Sequence, residues 1–421
     1  MSHQRLRARK LFAKLLLILV GFLIGGIIAE VALRAAGYSY PEFYALDQLR
    51  GYALRPWAEG WYRKEGEVYV RINGEGLHDQ EHSLSKSPDT VRIAVVGDSY
   101  PEGFSVSLEE TFWWVMGKKL QECNAFPGKK IEVLNFGVSG YGTAQELLTL
   151  REQVWKFSPD IVMLAVTTNN DITDNIRALK KTDEIPYFIY QNNQLKLDDS
   201  FKNYRTFRWR QSGISRCGRW LRDHSRVVQA IIQGHHGFKT LLASWRARRS
   251  EKAQPQLDPT GQNREILREK PDLLSRSQEL GTDNLIYLEP ANAVWNDAWS
   301  VTEDLILEFR NEVKSRGAGF VVVTLSNGPQ VLPSPEVREG FKRRFGITDL
   351  FYPDERIKLL CARAGIPVII LVPELQEFAQ HNNIFLHGFG EDLGNGHWNA
   401  TGHRVAGELI AKKICEGGVL K

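Results

Sequence analysis

Cysteine is scarce and scattered. The four residues Cys123, Cys217, Cys361 and Cys415 in a chain of 421 form no CxxC pair and no metal-like spacing. A zinc module or dithiol redox centre is therefore excluded as the organising chemistry. They read as structural, and an oxidising compartment would permit a disulfide between a pair that spacing does not identify. A strong charge is also missing. The formal net charge of +4 is too small to imply a nucleic-acid partner by itself. No internal repeat is visible. Nor is this the composition of a disordered chain: 43% of residues are hydrophobic and 25% charged, which suits one large folded domain or two modest ones.

What the chain does have begins at its amino terminus. Arg5, Arg7, Arg9, Lys10 and Lys14 precede an apolar run at 15–29 that continues past Glu30 to Leu33. With Phe12, Ala13 and Val31 included, the run reaches the ~20 residues a membrane span needs. No clean A-x-A cleavage site follows it, so the segment reads as an uncleaved signal anchor, with a cleaved signal as the alternative. Its cationic flank should stay cytoplasmic, which places everything after residue 36 outside.

Residues 37–90 are rich in aromatics, among them Tyr38, Tyr40, Tyr52, Trp57 and Trp61. Alternation at Val68, Val70 and Ile72 before Asn73-Gly74 predicts a strand entering a tight turn. The region reads as a connector folded onto the main domain, with no chemistry of its own; His78-Asp79 reads as an exposed loop pair.

From residue 91 strand and helix alternate. Continuous apolar runs at 91–96, 131–134, 161–166, 320–325 and 368–372 predict strands. Segments 109–122, 144–157, 301–316, 354–364 and a closing 401–415 predict helices. That order implies a parallel sheet covered on both faces, a flavodoxin-like three-layer α/β/α sandwich. The alternation is interrupted at about 186–299. There, 187–197 predicts a hairpin around Asn192-Asn193, and 202–249 holds twelve Lys or Arg against one acid, Asp223. Residues 221–245 have helical spacing, and 251–285 read as a polar loop. The basic stretch is either a solvated helical face or a docking surface for anionic lipid or glycan.

Four stretches fall beyond strand ends, where open α/β sheets place ligands. They are Gly97-Asp98-Ser99 after the first strand, the glycine-rich turn at 135–143, the amide and carboxylate cluster at 167–175, and NGHWNATGH at 395–403. Serine, glycine N–H, asparagine amide and histidine compose a hydrolytic site of nucleophile, oxyanion donors and base.

In this order the GDSY, Ser-Gly, NND and GHWNATGH stretches resemble the SGNH (GDSL-type) hydrolase superfamily, and more closely its membrane-anchored bacterial branch. The resemblance covers 91–174 and 284–415 and leaves out the basic insertion. It implies Ser99 as nucleophile and first oxyanion donor, Gly140 N–H and the Asn170 amide as further donors, and His397 as base; His403 is expected to be structural. Two positions depart from the family pattern. Thr168 stands where the third block has glycine. The acid expected three residues before the histidine is Gly394, and the position two before is Asn395. Asp392 is the expected acid; Glu391, Asn395 or a backbone carbonyl are the alternatives.

The implied organisation is a cytoplasmic flank and anchor at 1–36, a connector at 37–90, and a hydrolase-like domain at 91–421. The implied protein is a single-pass protein of the bacterial inner membrane with its catalytic domain on the periplasmic or extracellular side. Its expected activity is esterase or deacylase chemistry on O-acyl groups, acetyl above all, of an envelope glycan or lipid. It needs no cofactor or metal and has no nucleic-acid partner; the oligomeric state is open. The alternatives are an O-acyltransferase acting on an exported polysaccharide and a non-catalytic glycan-binding scaffold.

Overall fold

The computed structural model describes residues 2–235 and 282–417. The described residues form two compact units, 2–42 with 211–235, and 43–210 with 282–417. The connector from residue 43 onward therefore belongs to the same unit as the sheet. The insertion is shared between the two.

In the larger unit five strands make one parallel sheet: β1 (Thr90–Gly97), β2 (Lys130–Gly137), β3 (Ile161–Thr167), β4 (Gly319–Leu325) and β5 (Val368–Ile370). Their order across the sheet is β5-β4-β3-β1-β2. It reverses between β1 and β3, and that reversal opens a crevice at their carboxyl ends. Successive residues of β1 serve opposite layers. Ala94 and Val96 pack with Leu147, Leu305 and Phe309, from helices Thr143–Glu152 and Ala293–Ser315. Ile93 and Val95 pack with Met116, Leu375 and Ile410, from helices Phe112–Glu122, Val372–Asn382 and Ala400–Cys415. Burial on both faces explains why the strands are continuously apolar rather than alternating. At about 1.5–3 kcal/mol for each large aliphatic side chain fully buried, these two layers dominate the fold's stability. The expected α/β/α sandwich is present.

Several boundaries differ from expectation: the helix expected at 301–316 begins at Ala293, and the one expected at 144–157 ends at Glu152. The last strand stops at Ile370 because Pro373 is placed in the first turn of helix Val372–Asn382, where a missing N–H costs nothing. Helix Gly213–His224 ends at Ser225, whose backbone is extended (φ −123°, ψ 118°), and a second helix begins at 226, so 221–245 is not one continuous helix. Its part beyond 235 lies outside the described residues, as does 251–281 of the expected polar loop; 282–287 is a turn of 3-10 helix. The Asn192-Asn193 hairpin forms between Tyr187–Gln191 and Gln194–Asp198, both asparagines taking positive φ (52° and 58°) as the tight turn requires.

The connector folds into two short hairpins, Tyr44–Asp47 with Gly51–Leu54 and Glu59–Tyr62 with Val68–Arg71. Their inner residues Leu54 and Val70 form a small core with Phe104, Val138 and Tyr141. Those three partners lie on the loops that follow β1 and β2. His78-Asp79 is not exposed. Both residues are buried: His78 Nδ1 lies 2.6 Å from the Glu102 carbonyl, and Asp79 accepts from the Asn135 N–H at 2.9 Å, so the pair staples the connector to β2. A disulfide joins Cys123 to Cys415, tying the closing helix to helix Phe112–Glu122; Cys361 is buried and Cys217 exposed.

Candidate active site

Ser99 opens a single helical turn directly after β1. Asp98 caps that turn, accepting from Tyr100 N–H at 3.1 Å, from Thr167 Oγ1 at 2.9 Å and from Asn170 Nδ2 at 2.6 Å. One buried carboxylate thus links the loops after β1 and β3 and aims the Asn170 amide. Burial pushes the Asp98 carboxyl up, against these hydrogen bonds, which pull it down.

His397 Nε2 lies 2.7 Å from Ser99 Oγ. Its Nδ1 lies 2.6 Å from Glu65 Oε2, and the same oxygen accepts from the His397 backbone N–H at 3.2 Å. A carboxylate on Nδ1 places the proton there and leaves Nε2 free to accept from the serine hydroxyl, the tautomer a general base requires. The Tyr100 ring packs edge-on against the imidazole at 5.3 Å. Burial opposes the imidazolium, but the Glu65 hydrogen bond and charge outweigh it and hold the His397 pKa above its ordinary value. For Glu65 itself burial acts upward, and the bond and charge of His397 prevail, holding the carboxyl below its ordinary value.

The partner of His397 is therefore not Asp392. Asp392 is exposed on the 388–396 turn and makes no hydrogen bond to the imidazole. That turn is built from glycines: Gly388, Gly390, Gly394 and Gly396 all have positive φ, which leaves the histidine's flank open. At Gly396 (φ 71°) a Cβ would lie 2.9 Å from Glu65 Oε1, so a glycine is needed for the carboxylate to reach its neighbour. Glu65 occupies the tip of the second connector hairpin, 332 positions from His397. The connector is expected from sequence to carry no chemistry, yet it places a carboxylate on His397. The available clue was indirect: alternation at Val68, Val70 and Ile72 implied a packed hairpin, and an acid at its tip could reach a site it covered.

Gly140 sits in the left-handed region (φ 76°) on the loop after β2, and a Cβ there would meet Tyr52 Oη at 2.8 Å. Ser139, just before it, is held at both ends: its N–H donates to Glu102 Oε1 at 2.9 Å, and its carbonyl accepts from Tyr52 Oη at 2.9 Å. These bonds fix the peptide plane that carries the Gly140 N–H. Burial raises the Glu102 carboxyl to about 8. Neither the Ser99 N–H nor the Gly140 N–H has an acceptor among the described residues. Ser99, Gly140, Asn170 and His397 line one cleft of about 460 Å³ with Asn327 and Lys180. Thr168 is buried and accepts from Asn327 Nδ2 at 3.1 Å, so its bulk ties two loops together and does not line the cleft. His403 is buried and accepts the Phe112 N–H at 3.3 Å; burial pushes its pKa down to about 3. No cluster of metal-ligating side chains occurs among the described residues.

No protein-family model and no curated protein sequence matches the chain. Solved structures similar to it include an acetyl xylan esterase at 12% identity, covering 77% of this chain and 99% of that one with a TM-score of 0.34. A lipolytic protein of the G-D-S-L family from Desulfitobacterium hafniense is 11% identical, with coverages of 76% and 98% and a TM-score of 0.33. A catalytic mutant of an acetylxylan esterase from Geobacillus stearothermophilus is 11% identical, with coverages of 79% and 96% and a TM-score of 0.36. At these values the fold is read from the strand order itself.

Proposed function

We propose that the chain is a membrane-tethered serine esterase that removes small O-acyl groups from a polyhydroxylated envelope molecule. The observation that carries this reading is the continuous relay from Glu65 through His397 to Ser99, with contacts of 2.6 and 2.7 Å, beside two unpaired backbone N–H groups and an amide.

Ser99 Oγ attacks the ester carbonyl as His397 Nε2 takes its proton, and Glu65 stabilises the imidazolium. Negative charge collects on the carbonyl oxygen, where the Ser99 and Gly140 N–H groups and the second hydrogen of the Asn170 amide converge. The alcohol departs with the proton from His397. Water, deprotonated by the same imidazole, then releases the acid from Ser99. The cleft is walled mostly by amides, glycine backbone, an ammonium and the Asp174 carboxylate, with Tyr100 and Pro329 as its larger apolar side chains. Such a lining suits a sugar hydroxyl as leaving group and a short acyl chain, since a long alkyl chain would find little apolar surface.

A carboxylate on His397 counts against the scaffold reading, which rested on a missing acid. The disulfide and the cationic amino-terminal flank support placing the larger unit on the periplasmic side. Helix Ser2–Ala35 contains one stretch, Arg9–Ala35, long and apolar enough to cross a membrane.

The test is hydrolysis of p-nitrophenyl acetate, butyrate and octanoate by the purified full chain and by Ser99→Ala. Acetate should be cleaved fastest, and the variant should lose at least ~1,000-fold in kcat/KM. Equal rates from both proteins would overturn the esterase reading. Transfer of acetyl to an added oligosaccharide in preference to water would make the chain an acyltransferase.

A further inference from the structure

The smaller unit contains an amphipathic helix turned inside out. Helix Gly213–His224 has Ile214, Cys217, Trp220 and Leu221 along one side and Ser215, Arg219, Arg222 and Asp223 along the other. In a water-soluble setting the apolar side would face the protein. Here Ile214, Trp220 and Leu221 are 73%, 59% and 46% exposed and Cys217 is exposed, whereas Arg219, Arg222 and Asp223 are half-buried. Arg222 pairs with Glu42 at 3.1 Å. The polar side is the one turned inward.

This helix is fixed at one level of the amino-terminal apolar helix. Arg34 donates to the His224 carbonyl at 2.7 Å. Glu30 accepts from the Ser225 hydroxyl and from the N–H groups of Arg226 and Val227, each at 3.0 Å, so it caps the helix that begins at 226. Gln229 Oε1 accepts from the Tyr40 N–H at 2.8 Å. Glu30 and Arg34 lie where the exposed apolar surface of the first helix ends, and Tyr38 and Tyr40 follow as an aromatic pair. That is the depth at which aromatics and cations gather in a bilayer.

We propose that helix Gly213–His224 lies in the outer-leaflet interface. Ile214, Cys217, Trp220 and Leu221 enter the headgroup–acyl boundary, while Arg216 and its neighbouring cations engage lipid phosphates. Its occupant is the bilayer surface itself, because the apolar face is continuous with the lipid-facing end of the span and its flanks are cationic. The helix converts a single tether into a two-point attachment. This inference rests on the reading of Arg9–Ala35 as a membrane span.

Cys217 offers a built-in probe. It is exposed, whereas Cys361 is buried and the other two cysteines are joined. The full chain carrying a nitroxide at Cys217 would be reconstituted into vesicles of phosphatidylcholine with a minor share of phosphatidylglycerol. Its collision rates with oxygen and with a water-soluble nickel chelate would then be measured. The nitroxide should be shielded several-fold from nickel and open to oxygen. Ser215→Cys in a Cys217→Ser background should show the reverse. Ile214→Asp with Leu221→Asp should return the Cys217 label to water while hydrolysis of p-nitrophenyl acetate is retained, which separates loss of docking from loss of folding. A Cys217 label open to nickel in chain that co-floats with vesicles would overturn the docking alone. Chain that remains soluble without detergent would overturn the span and the docking together.

Discussion

Two regions of the larger unit meet at Ser99 by different routes. The loops after β1 and β3 bring Ser99 and Asn170 there because the strand order reverses between those two strands, and any chain with that topology would do the same. The connector brings Glu65 and Tyr52 there only because two short hairpins pack on Phe104, Val138 and Tyr141. The first route belongs to the sheet and survives wherever the sheet survives. The second depends on a small satellite core and on a handful of hydrogen bonds. Ser99 and Asn170 are thus held by the stable layer, and Glu65 and Tyr52 by the weaker one.

Removing the carboxylate should break this comparison most sharply. Glu65→Gln should lower kcat by about 100- to 10,000-fold, while Asp392→Asn should stay within about twofold. A large loss with Asp392→Asn and none with Glu65→Gln would return the acid to the histidine's own loop. The pH profile of kcat/KM checks the same assignment. His397 must be neutral to accept the serine proton, so activity falls as pH drops through its pKa, which Glu65 holds above the ordinary value. Without the carboxylate that pKa falls, and the acid limb of Glu65→Gln should move to lower pH.

A smaller effect is expected from the oxyanion side. Tyr52→Phe removes one hydrogen bond to the Ser139 carbonyl, worth about 1 kcal/mol net, or roughly fivefold in rate. It should appear in kcat with little change in KM, because the peptide it steadies serves the charged intermediate more than the bound ester. An increase in KM alone would mean that Tyr52 shapes the cleft instead. The smallest effect on chemistry should come from the sheet side. Replacing Cys123 and Cys415 together by serine should cost roughly 2–5 kcal/mol of stability, read by thermal unfolding. The rate at low temperature should hold, since neither sulfur is near the cleft.

Much of this was legible before folding. Continuous β-branched runs identified all five strands to within three residues, because burial on both faces leaves little choice of side chain. That Ser99, Gly140, Asn170 and His397 line one cleft was legible because each follows a strand or precedes a helix with its own local signature, and the sheet assembles those positions by rule. Asp392 is misleading because proximity in sequence is not proximity in space. On a turn of four left-handed glycines, a residue five positions before the histidine points elsewhere.

Local pattern was therefore sufficient for the sandwich, its carboxyl-edge site and the apolar helix at the amino terminus, since periodicity and turn chemistry act over a few residues. The Glu65–His397 contact, the Tyr52 bond to the Ser139 carbonyl, the Cys123–Cys415 pairing and the outward apolar face of Gly213–His224 were decided by tertiary structure. Each joins or orients groups across tens to hundreds of residues, and no spacing rule operates over that distance: only the packing of one element on another brings Glu65 to His397, 332 positions away.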